Sequence, residues 1–143
     1  MQDVLQRILF ARSGVRIFRA SDTAFDAADR RTFVGSARSK TLASDATGTP
    51  VRVYLVRFES GARTNWHVHT GSQWLFIVDG RVRVQVWGEA AGEVQAGDAV
   101  LFLPGEKHWH GATPDSHGAH LAVNVNATTE WLEAVSDEQY RGG

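Results

Sequence analysis

From Pro50 onward the sequence is a series of short apolar-rich runs separated by glycine-containing breaks, and this pattern restricts the fold more than any other feature. Short runs with frequent turn residues are typical of antiparallel sheets, because their strands are joined by tight turns. The chain is therefore predicted to form an antiparallel β-sandwich or barrel. The runs are Val51 to Glu59, Trp66 to His69, Gln73 to Val78, Arg81 to Trp87, Ala99 to Leu103, His108 to Gly111 and His120 to Asn126.

The run after Gly80 has the clearest alternation. Val82, Val84 and Val86 alternate with polar residues, and successive side chains of a strand point to opposite faces, so the valines are predicted to share a buried face. Asp79-Gly80 separates this run from the preceding one. Such a dipeptide is typical of a two-residue hairpin turn, because both residues tolerate a positive φ. A hairpin is therefore predicted here.

The run before this expected hairpin is apolar at every position from 74 to 78. Trp74, Phe76 and Val78 alternate with Leu75 and Ile77. Because neither set is polar, the run is predicted to be a strand that is buried on both sides.

The two ends of the chain carry weaker patterns. At the N-terminus we expect a short helix from Asp3 to Leu9, strands at Val15 to Phe18 and Thr32 to Ala37, and a loop from Asp45 to Pro50. At the C-terminus Ser136 is expected to cap a final helical turn, because a serine hydroxyl accepts hydrogen bonds from the free N–H groups at a helix start. These end segments are expected to cover sheet edges or to form dimer contacts.

Composition and charge exclude several classes of protein. A chain of 143 residues suffices for one domain with its own core. Without cysteine there is no disulfide framework and no thiolate nucleophile. The 15 basic and 16 acidic residues are spread along the chain, which argues against nucleic-acid binding. No run reaches the ~20 apolar residues of a membrane span, and Met1 to Gly14 lacks the features of a signal peptide, so we expect a cytoplasmic protein.

All six histidines lie between His67 and His120. On a strand, the two histidines of His67-Val-His69 project to the same side, as two ligands of one metal ion must. Gln73 and His108 complete a set of neutral donors that suits divalent cations such as manganese, iron, cobalt, nickel or zinc. Because no thiolate is available, a closed structural zinc site is disfavoured, and an open or catalytic site is predicted.

The segment from Gly61 to Gly80 resembles the first motif of the cupin family. This motif consists of a glycine, five residues, a His-x-His pair, a carboxylate three or four residues further on, and a second glycine. The glycines and the pair His67 and His69 match, whereas Gln73 stands where the family usually has glutamate. The segment therefore has the spacing of the motif and differs from it at one position, the expected metal ligand Gln73.

The second cupin motif is present as Gly97-Asp98, Pro104-Gly105 and His108, in that order. Ala112 stands where the family has asparagine. Together the motifs extend over about Val51 to Val125. The resemblance implies an all-β fold, a double-stranded β-helix or jelly-roll barrel with a metal ion inside. One cupin domain is expected over residues 1–143, with an N-terminal arm and strands at 1–50, barrel motifs at 51–126 and a C-terminal extension at 127–143.

Five segments carry a narrower resemblance: they are Gly61 to Thr64, Trp66 to His69, Pro104 to Ala112, His120 to Ala122 and Asp137 to Arg141. They are similar to bacterial single-domain cupins that include manganese-dependent hydroxynitrile lyases and cupins associated with carboxymuconolactone decarboxylases, in which glutamine replaces the glutamate ligand. The resemblance implies the metal ligands His67, His69, Gln73 and His108, and the catalytic residues His110, His120 and Thr64. It also implies a small-molecule substrate, a homodimer, and Mn²⁺ or Fe²⁺ as the ion, with Zn²⁺, Ni²⁺ or Co²⁺ as alternatives.

Three imidazoles and an amide leave the full double charge on such an ion, so the site is predicted to act as a Lewis acid toward a small hydroxy or carbonyl compound. His110 or His120 can then exchange a proton with the substrate, as in the cleavage of a hydroxynitrile to an aldehyde and cyanide. Two alternatives stay open, a non-haem metal dioxygenase and a binding protein without turnover. Gln73 can also be a core amide, and the two histidines can orient a ligand rather than transfer protons.

Overall fold

The computed structural model describes residues 15–45 and 50–142. Within these ranges the chain forms twelve strands, all paired antiparallel, a 3-10 turn at Ala20–Asp22 and one short helix, α1 (Asp137–Tyr140). The strands are β1 (Asp26–Ala27), β2 (Phe33–Val34), β3 (Ala37–Asp45), β4 (Val51–Phe58), β5 (Arg63–Thr64), β6 (His67–His69), β7 (Ser72–Val86), β8 (Gly92–Gln95), β9 (Ala99–Phe102), β10 (His108–Ala112), β11 (Gly118–Val125) and β12 (Thr129–Trp131). The predicted all-β class is confirmed. No helix in this part of the chain is long and apolar enough to cross a membrane.

β7 is the longest of these strands and belongs to two sheets. Its first half pairs with β9 and with β11, which continues to β4, β3 and β1; these strands form the first sheet. Its second half pairs with β8 and with β10, which continues to β5 and β2 and to β6 and β12; these strands form the second sheet. Leu75 from the first half and Val82 from the second half belong to one buried cluster, so the two sheets enclose a common core.

The hairpin predicted at Asp79-Gly80 is wrong, because β7 continues through both residues without turning back. Gly80 has a φ of 62° and pairs with Gly118. The register of β7 against β11 shifts two residues earlier, at Val78, which has no partner between Ala119 and His120. Such a bulge bends a strand and increases its twist. The bulge at Val78 and the positive φ of Gly80 both lie where β7 passes from the first sheet to the second.

The strand predicted to be buried on both sides is buried on one side only. Leu75 and Ile77 are buried, whereas Trp74, Phe76 and Val78 are 39, 42 and 45 % exposed. The rings of Trp74 and Phe76 stack at a centroid distance of 6.2 Å on the outer face of the first sheet. Both faces of this apolar run are thus unfavourable in water, but the barrel core covers only the face that carries Leu75 and Ile77.

The outer face of the first sheet carries two cross-strand rows of apolar side chains. The first row contains Leu55, Leu121 and Phe76, and the second contains Val53, Val123, Trp74 and Leu101. Contiguous apolar patches on the surface of a protein mark interaction sites. On β3 the first row ends at Lys40, the partner of Leu55, and the second continues to Ala43. Because the rows contain no charged residue between β4 and β9, we propose that this face packs against the same face of a second copy of the chain, as in a twofold dimer.

Phe76→Glu is expected to convert a dimer of about twice 15.7 kDa into a monomer of 15.7 kDa. The new carboxylate would be buried in the interface without a partner, which is strongly unfavourable. Light scattering coupled to size-exclusion chromatography measures the mass. Ile17→Glu, at an exposed aliphatic residue outside this face, is the control. A wild-type protein that elutes as a monomer would contradict the proposal.

The terminal segments agree in part with the predictions. The strand predicted at Val15 to Phe18 is wrong, since this stretch is exposed and pairs with no strand, and Thr32 to Ala37 contains β2 and only the first residue of β3. The capped helical turn is confirmed, because Oγ of Ser136 accepts the N–H of Gln139 at 3.1 Å. The predicted N-terminal helix and most of the predicted loop before Pro50 lie outside the described residues.

The predicted valine face in the second half of β7 is confirmed. Val82 is fully buried, and Val84 and Val86 pack against the same cluster. The polar residues between these valines lie on the opposite face, where Arg83 donates to the carbonyl of Tyr140 and Gln85 accepts from the indole N–H of Trp109.

Candidate metal centre

Three buried histidines meet where β6 and β10 run side by side. His67 is the register partner of His108, and His110 follows two residues later on the same face of β10. The potential ligand nitrogens of His67, His108 and His110 all lie within 4.8 Å of one another. These three side chains could therefore hold a metal ion.

His69 and Gln73 lie beside this group. The ring centroid of His69 is 5.0 Å from that of His67 and 5.2 Å from that of His108. Oε1 of Gln73 lies 3.2 Å from Nε2 of His108. The four residues that the sequence predicts as metal ligands, together with His110, thus occupy one buried cluster.

Backbone carbonyls fix the orientation of two of these rings. Nδ1 of His67 donates to the carbonyl of Asn65 at 2.9 Å, and Nδ1 of His108 donates to the carbonyl of Glu106 at 2.8 Å. A neutral imidazole that donates through Nδ1 has a lone pair at Nε2. Both rings therefore offer Nε2 as a potential metal ligand.

Burial keeps the histidines of the cluster neutral. Desolvation, with a smaller contribution from His108, lowers the pKa of His67 well below its usual value, and desolvation lowers the pKa of His108 to about 3. Burial is also the main reason why the pKa of His69 and the pKa of His110 are lowered. Neutral imidazole is the form that binds metal ions, so at neutral pH no proton has to be displaced from these rings.

The polar atoms of the cluster fit a divalent cation. Gln73 donates through Nε2 to Oδ1 of Asn124 at 2.8 Å. Its amide oxygen therefore points toward His108. This oxygen and the Nε2 lone pair of His108 are both acceptors, and a cation bound by both would satisfy them. Nε2 of His69 is buried and has no hydrogen-bond partner within the described residues. Unpaired buried polar atoms are rare in proteins and call for a partner such as an ion.

A cavity of about 270 Å³ lies beside the cluster. Its polar lining includes His67, His69, Gln73, His110, Thr64 and Asn124, and its apolar lining includes Phe33, Tyr54, Val56 and Trp131. The ring centroid of Trp131 lies 4.6 Å from that of His67 and 6.0 Å from that of Phe33. A cavity of this size with an aromatic wall and a few convergent polar groups suits a small molecule.

Comparisons with known proteins agree with this geometry. The cupin domain family matches residues 54–124. An (R)-mandelonitrile lyase from Granulicella tundricola is 42 % identical over 112 residues, which are 76 % of this chain and 86 % of that protein. This chain is a cupin.

Solved structures show the same fold. A cupin-like protein from Thermotoga maritima has a TM-score of 0.77 and 37 % identity, over 80 % of this chain and 90 % of that chain. A cupin 2 conserved barrel domain protein from Rhodopseudomonas palustris has a TM-score of 0.67 at 18 % identity, over 85 % of this chain and 88 % of that chain. The jelly-roll barrel implied by the sequence resemblance is confirmed for this cupin.

Two of the three residues predicted to be catalytic in this cupin line the cavity. They are His110 and Thr64, and Oγ1 of Thr64 accepts the backbone N–H of His110 at 3.2 Å. His120 is fully buried and does not line the cavity, but its Nε2 lies 2.9 Å from Nδ1 of His110. Burial lowers the pKa of His120 to about 3. His120 therefore lies behind the cavity wall, one hydrogen bond away from His110.

Several cavity residues of the cupin escaped the sequence analysis. Asn124 lies on β11 in alternation with half-buried apolar residues, and this pattern could have placed it on the inner face. Tyr54 and Trp131 have no local signal that separates them from core aromatic residues. Thr129 reaches His69 from 60 residues further along the chain, and long-range strand pairing alone reveals this contact.

Proposed function

We propose that this cupin is a metal-dependent lyase that cleaves small cyanohydrins into an aldehyde and hydrogen cyanide. The observation that carries the proposal is the unpaired Nε2 of His110 in the wall of a cavity that the neutral side chains of His67, His69 and Gln73 also line. The similarity to an (R)-mandelonitrile lyase supports it. Mandelonitrile carries an aromatic ring, which suits an apolar lining that includes Phe33, Tyr54 and Trp131.

His67, His69, Gln73 and His108 would hold the ion, which we propose to be Mn²⁺ or Fe²⁺. When bound, the ion supplies Lewis acidity toward the hydroxyl or nitrile group of the substrate. None of the four donors is an anion, because the imidazoles and the amide are neutral. This donor set would therefore preserve the full charge of the ion.

His110 would accept the hydroxyl proton of the substrate. Its Nε2 is buried and has no hydrogen-bond partner within the described residues. For Nε2 to accept a proton, Nδ1 has to carry the ring proton and donate it to Nε2 of His120, so His120 would hold the required tautomer. As the O–H bond breaks, its electron pair stays on the oxygen. That pair forms the carbonyl as the bond to the nitrile carbon breaks, and cyanide leaves with the bonding pair and takes the proton back from Nε2 of His110.

Thr64 would orient the substrate in the cavity. Its oxygen accepts the backbone N–H of His110, which leaves the hydroxyl proton of Thr64 available to a substrate oxygen or nitrogen. Such an orienting contact next to the proton acceptor favours a single reactive geometry.

Metal analysis and turnover under nitrogen test the proposal. Protein purified without chelator is expected to contain manganese or iron and to release benzaldehyde from (R)-mandelonitrile without consuming oxygen. Chelator is expected to abolish the release and added Mn²⁺ to restore it, because the Lewis acid is removed and returned. Fully loaded protein that leaves aromatic and aliphatic cyanohydrins uncleaved would overturn the proposal. Oxygen uptake with a diketone or a catechol would indicate a dioxygenase instead.

A further inference from the structure

We infer that Thr129 is a positioning residue of the metal centre, so that the C-terminal extension completes a site that the barrel strands otherwise build. The inference rests on the proposed role of His69 as a ligand. Nδ1 of His69 and Oγ1 of Thr129 are 2.8 Å apart. A hydroxyl oxygen that accepts from Nδ1 leaves Nε2 of His69 free to bind an ion, and this Nε2 is the buried atom without a hydrogen-bond partner within the described residues.

The proposed ligands are not all held in the same way. Two of the imidazoles donate to the carbonyl of the residue two positions earlier, a contact that depends on no other side chain. His69 instead contacts the side chain of Thr129. The carbonyl of Thr128 and the side chain of Gln73 also lie near the ring of His69. The carbonyl of Thr128 accepts the N–H of Thr70 at 3.1 Å, and its second lone pair leaves it available to the ring. The hydroxyl of Thr129 forms the hydrogen bond with Nδ1, and the variants below separate its contribution from that of the carbonyl.

β12 places Thr129 opposite its partner. The strand pairs with β6 in a register that aligns Thr129 with His69 and Trp131 with His67. Because residues of a strand alternate between faces, Thr129 and Trp131 share one face, and both line the cavity. One three-residue strand thus contributes a hydrogen bond to one proposed ligand and an aromatic ring beside another.

The segment after β12 is anchored to the barrel. The side chain of Arg63 is 7 % exposed and donates to the carbonyl of Val135 at 2.6 Å and to Asp137 at 2.8 Å. Val135 and Tyr140 are buried in a cluster that includes Trp66. These contacts hold the extension in place, so Thr129 has a defined position relative to β6.

A matched pair of variants tests the inference. Thr129→Val removes the hydroxyl and keeps the shape of the side chain, whereas Thr129→Ser keeps the hydroxyl. When apoprotein is titrated with Mn²⁺ against a fluorescent chelator, Thr129→Val is expected to bind about 10- to 100-fold more weakly, and Thr129→Ser is expected to bind like wild type. Thr128→Val removes the neighbouring hydroxyl, which faces Thr70, and is the control. It is expected to retain wild-type affinity.

Heteronuclear NMR of the histidine side chains gives a second readout that needs neither metal nor turnover. Apo wild type and Thr129→Ser are expected to carry the His69 proton on Nδ1, and Thr129→Val is expected to lose this preference. A wild-type protein that binds no Mn²⁺ would overturn the proposed function itself. Equal Mn²⁺ affinity in wild type and Thr129→Val would overturn this inference alone, and would assign the ring orientation to the carbonyl of Thr128.

Discussion

His110→Asn is expected to abolish cyanohydrin cleavage while the metal ion stays bound, and His69→Asn is expected to release the ion. Nε2 of His110 and Nε2 of His69 are both buried without hydrogen-bond partners within the described residues, but the proposal gives them different roles. Loss of a general base lowers the rate by about 10²- to 10⁴-fold. Loss of a ligand removes the ion and, with it, the activity. The two variants therefore separate the proton acceptor from the ligand set.

Metal content after dialysis and the rate of benzaldehyde release measure these two effects. His117→Asn, which replaces an exposed histidine outside the cluster, is the control and is expected to retain both. The nitrogens of His67, His108 and His110 are close enough to bind an ion by themselves. Loss of metal in His110→Asn, together with retention in His69→Asn, would therefore put His110 into the ligand set in place of His69.

Gly80→Ala is expected to destabilise the protein by about 3 kcal/mol, the upper end of the usual range for single substitutions. The added methyl group would overlap the carbonyl of His117, which accepts the N–H of Arg81 at 3.1 Å. Neither backbone segment can move away without disturbing the pairing of β7 with β11. The positive φ of Gly80 adds roughly 1 kcal/mol for any residue with a Cβ.

Gly88→Ala separates the two contributions. Gly88 has a φ of 86°, and a Cβ added there meets no atom within 4 Å. Gly88→Ala is therefore expected to lower the free energy of unfolding by about 1 kcal/mol, the cost of the positive φ alone. Urea unfolding followed by circular dichroism measures both variants. If they were destabilised equally, the overlap with His117 would be relieved without cost, and the approach of His117 to Gly80 would be less constrained than we expect.

Features that depend on neighbours in the sequence could be predicted for this cupin. The valine face of β7 follows from strand alternation, and the helical turn at Ser136 follows from local capping chemistry. The spacing of His67 and His69 places both side chains on the buried face of β6, with Val68 half-buried between them. The roles of these histidines as ligands stay predictions that the variants above test.

Features that depend on partners distant in the sequence could not be predicted. A positive φ at Gly80 suits a hairpin turn as well as a strand that continues, and only its pairing with Gly118 of β11 distinguishes the two. Trp74 and Phe76 are apolar enough for a buried face, but their sequence does not say what covers them. Thr129 reaches His69 only because β12 pairs with β6, across 60 residues of chain.

The burial of the two hydrogen-bonded imidazoles limits where a proton can travel. His110 and His120 are 4 % and 0 % exposed, and Nδ1 of His120 has no hydrogen-bond partner among the described residues. In the proposed reaction, the proton taken from the substrate therefore returns through the same nitrogen to the departing cyanide, which leaves as a neutral acid.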